Sequence, residues 1–262
     1  MPDAGARHGH STPLNVIIPL AGQDFERPDG SVKAEMVVGG TTLLSATLKA
    51  RPWWSATAAP VFVLRDTAAS LRFARDTLLA EYPAARIIWL SHASGGAAWS
   101  AVAGAALIAW PEAPVIVDLC DIMFESDADV AAAFAADPAL GGLALTFASR
   151  HPQYSYLRLA PDGRMQEARE KVVISGNASA GVYAFRDVAV FHAAFAHSLH
   201  RRATLSHHGA LFVCPMLNGV VAQGLDVRCL PARNVQDVKL AEGQPGPPDR
   251  LVACSSAISD TP

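Results

Sequence analysis

The feature that most constrains this chain is a series of short apolar runs, rich in β-branched residues, that alternate with helical segments. The first run covers residues 16–20 and reads VIIPL, and similar runs follow at 60–64, 86–90 and 114–119. Uninterrupted runs of this length suit strands buried on both faces of a parallel sheet, with helices as the connections. The first half of the chain therefore predicts an α/β protein whose parallel sheet is flanked by helices.

The second half of the chain has a different pattern, because shorter apolar runs follow one another on both sides of the predicted turn Pro161-Asp162-Gly163. This pattern favours a β-hairpin and a sheet of mixed direction. The predicted elements, in order, are helix 42–51, strand 60–64, helix 68–80, strand 86–90, helix 97–109, strand 114–119, helix 128–136, strand 142–147, hairpin 154–170, strand 180–185, helix 188–200 and strand 227–230. We expect one domain over 14–241, a disordered tail over 1–13 and a flexible tail over 242–262.

Composition narrows the classes of partner. The chain has 262 residues, of which 51% are hydrophobic and 17% charged, with a formal net charge of −3. No basic block stands out, so we expect no nucleic-acid partner. Every apolar segment is interrupted well before a membrane-spanning length, so we expect no membrane partner. Scattered cysteines without a CxxC pair favour reduced thiols and a cytoplasmic location.

The loop after the first run carries a candidate phosphate-binding group. Ala21-Gly22 opens a polar loop, and Lys33 follows it. An open α/β sheet places its ligand at the end of its first strand, and a lysine beyond the loop can reach a phosphate as a point charge. The alternative is that Gly22 and Gly30 only serve turns and that Lys33 is solvated.

A carboxylate ends the fourth apolar run. Residues 115–121 read VIVDLCD, which puts Asp121 at the carboxyl end of a buried strand, where the ligand crevice of an open sheet lies. A carboxylate there suits Mg²⁺, which binds through one or two carboxylates and substrate phosphates. The alternative is that Asp118 or Asp121 only caps the next turn.

Two further segments carry candidate sites. Ser94-Gly95-Gly96 precedes a helix, so its backbone N–H groups could hold a phosphate or a base edge, or its glycines could only permit close packing. Residues 170–185 join Glu170-Lys171 to a polar loop and a strand that contains Gly181. Lys171 could neutralise a phosphate while Glu170 accepts from hydroxyl groups; the alternative is a surface ion pair and a bulge glycine.

Together these motifs resemble the sugar-phosphate nucleotidyltransferases. The resemblance rests on VIIPLAG…K…VGGTTLL, the strand ending in Asp121, SYLRLAPDGRMQEAREK and ISGNASAGVYAF, and it spans about residues 15–240. It implies a Rossmann-like, GT-A-type three-layer sandwich with a mixed, mostly parallel sheet. It also implies an enzyme that couples a nucleoside triphosphate (NTP) to a sugar 1-phosphate or similar phosphorylated small molecule, releases pyrophosphate, and serves glycan or capsule precursor synthesis.

The resemblance also implies roles for individual residues. Catalysis would fall to Lys33, Asp121 and Lys171. The implied sets are Leu20, Ala21, Gly22, Lys33, Gly95 and Gly96 for the nucleotide, Glu170, Lys171, Asn177 and Gly181 for the second substrate, and Asp121 with Asp237 for Mg²⁺.

The opening loop departs from the family pattern. Gly22 is its only glycine before Gly30, and Asp24 and Glu26 would repel a triphosphate unless a metal or Arg27 offsets them. Two alternatives stay open: a GT-A glycosyltransferase that uses Asp118 and Asp121 as its metal motif, and a binding protein without turnover.

Aromatic and histidine pairs complete the candidates. His207-His208 and the pair His197/His200 lack acidic or cysteine partners at ligand spacing, so we expect solvated histidines at helix ends. Trp53-Trp54 predicts a packed loop anchor or a contact in a homo-oligomer, and the sequence leaves the oligomeric state open.

Overall fold

The computed structural model describes residues 13–57 and 59–237. Apart from Pro13, the two expected tails lie outside the described residues. The strands are β1 Asn15–Pro19, β2 Val37–Val38, β3 Thr41–Thr42, β4 Val61–Arg65, β5 Arg86–Leu90, β6 Val115–Asp118, β7 Ile122–Glu125, β8 Leu140–Ala148, β9 Tyr156–Leu159, β10 Met165–Arg169, β11 Asn177–Phe185, β12 Asp226–Pro231 and β13 Arg233–Asp237. The α-helices are α1 Leu43–Lys49, α2 Ala68–Phe73, α3 Leu79–Glu81, α4 Ala97–Ala105, α5 Val130–Ala136, α6 Val188–His200, α7 Arg202–Leu205 and α8 Val213–Ala222.

The main sheet has a parallel half and a mixed half, as the sequence predicts. β6, β1, β4 and β5 lie side by side and parallel. β11 then runs antiparallel to both β6 and β8, and β12 adds to β8 in parallel. The hairpin of β9 and β10 joins the same sheet through β11. The carboxyl end of β6 therefore lies beside the middle of β11, where Asp118 pairs with Val182, so two segments from distant parts of the chain meet there.

Both faces of this sheet are covered, which makes three layers. Alternate residues of β1 belong to opposite cores: Val16 and Ile18 pack with α1 and α2, whereas Ile17 packs with α4, α6 and α8. These side chains are at most 1% exposed. Burial on both faces explains why the strands read as continuous apolar runs and not as alternating ones. None of the helices in the described ranges combines the length and apolar character that a bilayer crossing requires.

Polar side chains fix where several helices begin. Thr42, Thr67, Asp129 and Asp187 each precede a helix and accept a hydrogen bond from the backbone N–H three residues later. Such caps satisfy amide groups that have no partner within the helix. The predicted starts of these four helices, at residues 42, 68, 128 and 188, lie within two residues of the observed starts.

The structure also contains elements that the sequence does not predict. α8 begins at Val213 and is buried almost all round, so its sequence lacks the polar face by which a surface helix is recognised. The small sheet of β7 and β13 pairs segments more than a hundred residues apart. The predicted helix over 97–109 is shorter and ends at Ala105, and the predicted helix over 68–80 contains a π-helical turn over Ala74–Leu78.

A buried ion pair joins the end of α1 to the end of β6. The Nε atom of Arg51 donates to Oδ2 of Asp118 at 2.7 Å, and both side chains are 0% exposed. A second nitrogen of Arg51 donates to the carbonyl oxygen of Ile122 at 3.0 Å, and the guanidinium carbon lies 3.8 Å from the ring centroid of Phe124. Asp118 also accepts from the backbone N–H of Cys120 at 2.9 Å. Arg51 and Asp118 therefore hold the turn on either side of Asp121.

Removing one partner of this pair should be costly. Arg51→Met leaves the Asp118 carboxylate buried without its counter-charge, so we expect the free energy of unfolding to fall by about 3 to 5 kcal/mol. Chemical denaturation measures the change. The double variant Arg51→Met/Asp118→Asn keeps the acceptor for the Cys120 N–H and removes both charges, so it should recover much of the loss. A single variant within about 1 kcal/mol of the parent would contradict this role.

Candidate functional site

A cavity of about 740 Å³ opens where β1 and β6 end, beside the middle of β11. Ligands of open α/β sheets bind at this edge because the strands end there and leave a crevice between their loops. Residues from the opening loop, the turn after β6, β11 and the segment before α8 line it. Among the residues with predicted roles, those that line the cavity are Leu20, Ala21, Gly22, Lys33, Gly96, Asp121, Glu170, Lys171, Gly181 and Asp237.

Lys33 enters the cavity from the first turn of a short 3-10 helix, Lys33–Glu35. Its backbone N–H donates to the carbonyl oxygen of Phe25 at 2.8 Å, which closes the loop. Its ammonium group lies 3.1 Å from the carboxylate of Asp24, and its side chain is only 19% exposed. The charge of Asp24 is therefore balanced within the loop by Lys33.

Glu26 and Arg27 do not line this cavity. The carboxylate of Glu26 lies 2.9 Å from Arg65 and accepts a hydrogen bond from Thr67 at 2.6 Å, at the start of α2. A guanidinium nitrogen of Arg27 contacts the sulfur of Met36 at 2.8 Å. Because Glu26 points away from the cavity, its carboxylate would not repel a triphosphate bound there. Arg27 is therefore not needed to neutralise Glu26, and it lies outside the lining as well.

Asp121 reaches the cavity from a strained turn after β6. Cys120, just before it, has φ of +53°, which residues with a side chain rarely adopt. Opposite Asp121, β11 contains a bulge at Gly181, whose φ is +78°. A Cβ at Gly181 would lie 3.2 Å from Oδ1 of Asp121. The bulge glycine therefore lets the two strands bring this carboxylate close to the backbone of β11.

Asp118, three residues earlier, has a different environment. It is 0% exposed and paired with Arg51, so it does not face the cavity. The reading of Asp118 and Asp121 as a shared metal motif fails for this reason. Asp118 is a buried structural carboxylate, and Asp121 is the one at the cavity.

Asp237 joins Asp121 in the lining because β13 pairs with β7, which sets Asp237 opposite Ile122. Asp237 is 5% exposed, and both carboxylates take part in further interactions. Two hard oxygen donors at one edge fit the way Mg²⁺ binds with substrate phosphates as its other ligands. In the described ranges, no group of three or more histidine, cysteine, aspartate or glutamate side chains could hold a metal by itself.

Glu170 and Lys171 reach the cavity from the segment after β10. Glu170 is 9% exposed and accepts a hydrogen bond from the hydroxyl group of Ser155. Lys171 has φ of +53°, and its ammonium group lies 5.5 Å from the ring centroid of Phe212. The burial of Glu170 does not fit the surface ion pair of the alternative reading.

A buried polar group lies beneath Glu170. The hydroxyl of Ser179 donates to that of Tyr183 at 2.8 Å, and Ser179 also accepts from the Gly181 N–H at 3.1 Å. Burial raises the pKa of Tyr183, and the nearby Cys214 and Glu170 raise it further. Burial likewise raises the pKa of the Cys214 thiol, with Glu170 as the next cause. Tyr183 and Cys214 are therefore neutral at physiological pH and supply polar contacts without charge.

The backbone of Leu211 packs directly against the Gly95-Gly96 turn. The Leu211 N–H donates to the carbonyl oxygen of Gly95 at 2.8 Å, and the Ala98 N–H donates to that of Leu211 at 3.1 Å. A Cβ at Gly96, where φ is +118°, would lie 2.1 Å from the Leu211 oxygen. Close backbone packing therefore explains Gly96, although it also lines the cavity.

Two residues with predicted roles lie elsewhere. Gly95 does not line the cavity, since a Cβ there would face the ring of Trp99 at 3.1 Å. Asn177 is also outside the lining, and its amide donates to the carbonyl oxygen of Leu157 at 3.3 Å. Both residues make contacts within the fold and lie outside the cavity, so we assign neither of them a role in binding.

The structure adds His207, His208 and Phe212 to the lining. Both histidines lie in the turn between α7 and α8; His208 is exposed, in line with the expectation of solvated histidines, whereas His207 is half-buried. The sequence around the two histidines has no metal-ligand spacing. The one feature that could have identified them as site residues is a histidine pair followed by a glycine. Trp53 is 3% exposed, as expected of a packed anchor.

No protein-family profile and no curated protein sequence matches the chain. Solved structures do match. A nucleoside-diphosphate-sugar pyrophosphorylase from Vibrio cholerae has a TM-score of 0.70 at 18% identity, over 85% of this chain and 94% of that one. A UDP-glucose pyrophosphorylase complexed with UDP-glucose has a TM-score of 0.66 at 13% identity, over 89% and 96%.

A proposed glucose-1-phosphate thymidylyltransferase from Bacillus anthracis matches with a TM-score of 0.63 at 15% identity, over 86% of this chain and 89% of that chain. At these identities the likeness shows the fold. The Rossmann-like three-layer α/β architecture that the motifs imply is confirmed, and it is the architecture of sugar-phosphate nucleotidyltransferases.

The different surroundings of Gly95 and Gly96 can be compared with a matched pair of alanine variants. Gly96→Ala adds a Cβ against backbone at a positive φ, so we expect the free energy of unfolding to fall by about 3 kcal/mol or more. Gly95→Ala meets only a side chain that can shift, so it should cost about 1 kcal/mol or less. Thermal or chemical denaturation compares the two. Equal costs would show that the Leu211 backbone does not impose the glycine.

Proposed function

We propose that the protein is a nucleotidyltransferase that couples an NTP to a sugar 1-phosphate or similar phosphorylated small molecule and releases pyrophosphate. The observation that carries this proposal is that Lys33, Asp121 and Lys171 line one cavity, although they come from three distant segments. A reaction between two phosphorylated substrates is favoured by positively charged groups that stabilise both sets of phosphates and by carboxylates that can hold a metal ion. The likeness of fold to three proteins named for such reactions supports the same reading.

The chemistry asks little covalent work of the protein. An oxygen of the acceptor phosphate, already ionised near neutral pH, attacks the α-phosphorus of the NTP. A new P–O bond forms, and the bond to the departing pyrophosphate breaks, so no general base is needed. Catalysis then depends on alignment of the two substrates and on stabilisation of the charge that develops.

The residues divide this work by position. Leu20, Ala21, Gly22 and Lys33 bind the nucleotide, and Lys33 neutralises its phosphates by leaving Asp24. Lys171 neutralises the acceptor phosphate, while Glu170 and the backbone at Gly181 bind the rest of the acceptor. Asp121 and Asp237 would hold Mg²⁺, which would supply positive charge to the phosphates.

The glycosyltransferase alternative has weaker support. It requires Asp118 to share a metal with Asp121, and Asp118 is buried against Arg51. No described feature specifically favours a binding protein without turnover. We propose that the reaction takes place in the cytoplasm and serves the synthesis of glycan or capsule precursors.

Pyrophosphate release tests the proposal. The protein is incubated with each of the four NTPs and a panel of phosphorylated sugars and related small molecules, with Mg²⁺. We expect release that requires one NTP together with one acceptor, that EDTA abolishes and that added Mg²⁺ restores. Release from no combination, or release independent of the acceptor, would contradict the proposal.

Lysine variants then separate the two ends of the cavity. Lys33→Met removes a charge from the nucleotide end, so it should raise KM for the NTP or lower kcat by about 10-fold or more. Lys171→Met should act in the same way on the acceptor. Lys49→Met is the matched control, because Lys49 pairs with Glu81 on the surface and is 65% exposed. Unchanged kinetics in Lys171→Met would remove its assignment.

A further inference from the structure

Two histidines at the acceptor end of the cavity have no role in the function proposed above. The rings of His207 and His208 meet edge to face, with centroids 4.2 Å apart. The backbone N–H groups of His207 and Ala210 each donate to the carbonyl oxygen of the other at 3.0 Å, which fixes the turn. His207 is half-buried and His208 exposed, and both line the cavity with Lys171.

Phe212 joins these side chains into one group. Its ring lies 5.5 Å from the ammonium group of Lys171 and has its centroid 6.3 Å from that of His207. Lys171 follows β10, whereas His207 precedes α8, so two separate segments converge on one aromatic wall. Three basic side chains therefore surround one end of the cavity.

The backbone of this group is held in an unfavourable conformation. Lys171 has φ of +53° and His208 has φ of +48°, and neither is glycine. A residue with a side chain in this region costs of order 1–3 kcal/mol, and such strain gathers at ligand sites, where the fold imposes a direction on the side chain. Here it turns two basic groups toward one space.

The electrostatic environment of His207 completes the case. Burial lowers the pKa of His207, and the nearby His208 and Lys171 lower it further. Both of these neighbours are basic side chains, and they come from two different segments of the chain. The imidazole of His207 is therefore mainly neutral near pH 7, and an anion bound among the three basic side chains would raise the pKa of His207 and favour its protonated form.

We infer that Lys171, His207 and His208 together form the binding site for a phosphate group of the acceptor, and that His207 takes up a proton from solvent when the phosphate dianion binds. The identity of the phosphate as the acceptor's rests on the proposed function. The anion site itself rests on the cavity, the shared aromatic wall and the backbone strain. Binding should strengthen as pH falls, because protonation of His207 adds a charge that the anion stabilises.

Sulfate is the appropriate probe, because it stays a dianion across the range in which histidine titrates. Ring resonances of His207 are followed by NMR from about pH 8 to about pH 6, with and without sulfate. We expect sulfate to raise the pKa of His207 and to bind about 10-fold more tightly at the lower pH. His197 is the internal control, because burial also lowers its pKa but it does not line the cavity.

Variants make the test local. His207→Asn/His208→Asn should weaken sulfate binding at the lower pH about 10-fold and flatten its pH dependence, and Lys171→Met should weaken binding at both pH values. His197→Asn should change neither. Unperturbed His207 resonances at saturating sulfate, or binding that survives the double substitution, would overturn the inference.

The outcome separates this site from the proposed function. If sulfate shifts His207 but no pyrophosphate is released from any substrate pair, the anion site stands and the proposed reaction fails. If pyrophosphate is released and the double histidine variant leaves KM for the acceptor unchanged, the reaction stands and the histidine site is wrong.

Discussion

The site depends on how the turn after β6 is held at the edge of the sheet. Asp118 and Asp121 are separated by two residues, yet one is fully buried against Arg51 and the other lines the cavity. The buried pair also fixes the carbonyl group of Ile122 and the N–H of Cys120, on either side of Asp121. A buried ion pair gives little net stability, but its directional hydrogen bonds specify a single arrangement. We attribute the direction of the Asp121 side chain to that arrangement.

Two further segments bring lysines to the same cavity as this turn. The opening loop places Lys33 against Asp24, and the segment after β10 places Lys171 near Phe212. The glycine at the bulge, Gly181, leaves room for the Asp121 carboxylate beside β11. Two lysines and two carboxylates, Asp121 and Asp237, therefore line one cavity, a combination of charges suited to two anionic substrates that meet at a metal ion. The proposed chemistry follows from this distribution of charge.

Much of the fold could be predicted from the sequence, because burial on both faces forces a strand to read as an apolar run and because these runs alternate with helical segments. Asp121 and Lys33 could be predicted as candidates, since position at a strand end is visible in the chain. The difference between Asp118 and Asp121 could not, because Arg51 lies 67 residues from its partner. The position of His207 and His208 at the cavity could not be predicted either, since it depends on how their turn packs near Phe212. Gly96 shows the same limit, because only the structure reveals the Leu211 backbone beside it.

The central claim is that Lys33 and Lys171 bind the two halves of one product in a single cavity. Lysine acetylation, quantified by mass spectrometry, tests it most directly. We expect a nucleoside diphosphate sugar, from a panel of such compounds, to protect Lys33 and Lys171 together, while the exposed Lys49 is acetylated at an unchanged rate. Protection of only one of the two cavity lysines, or of neither, by every compound in the panel would contradict the account.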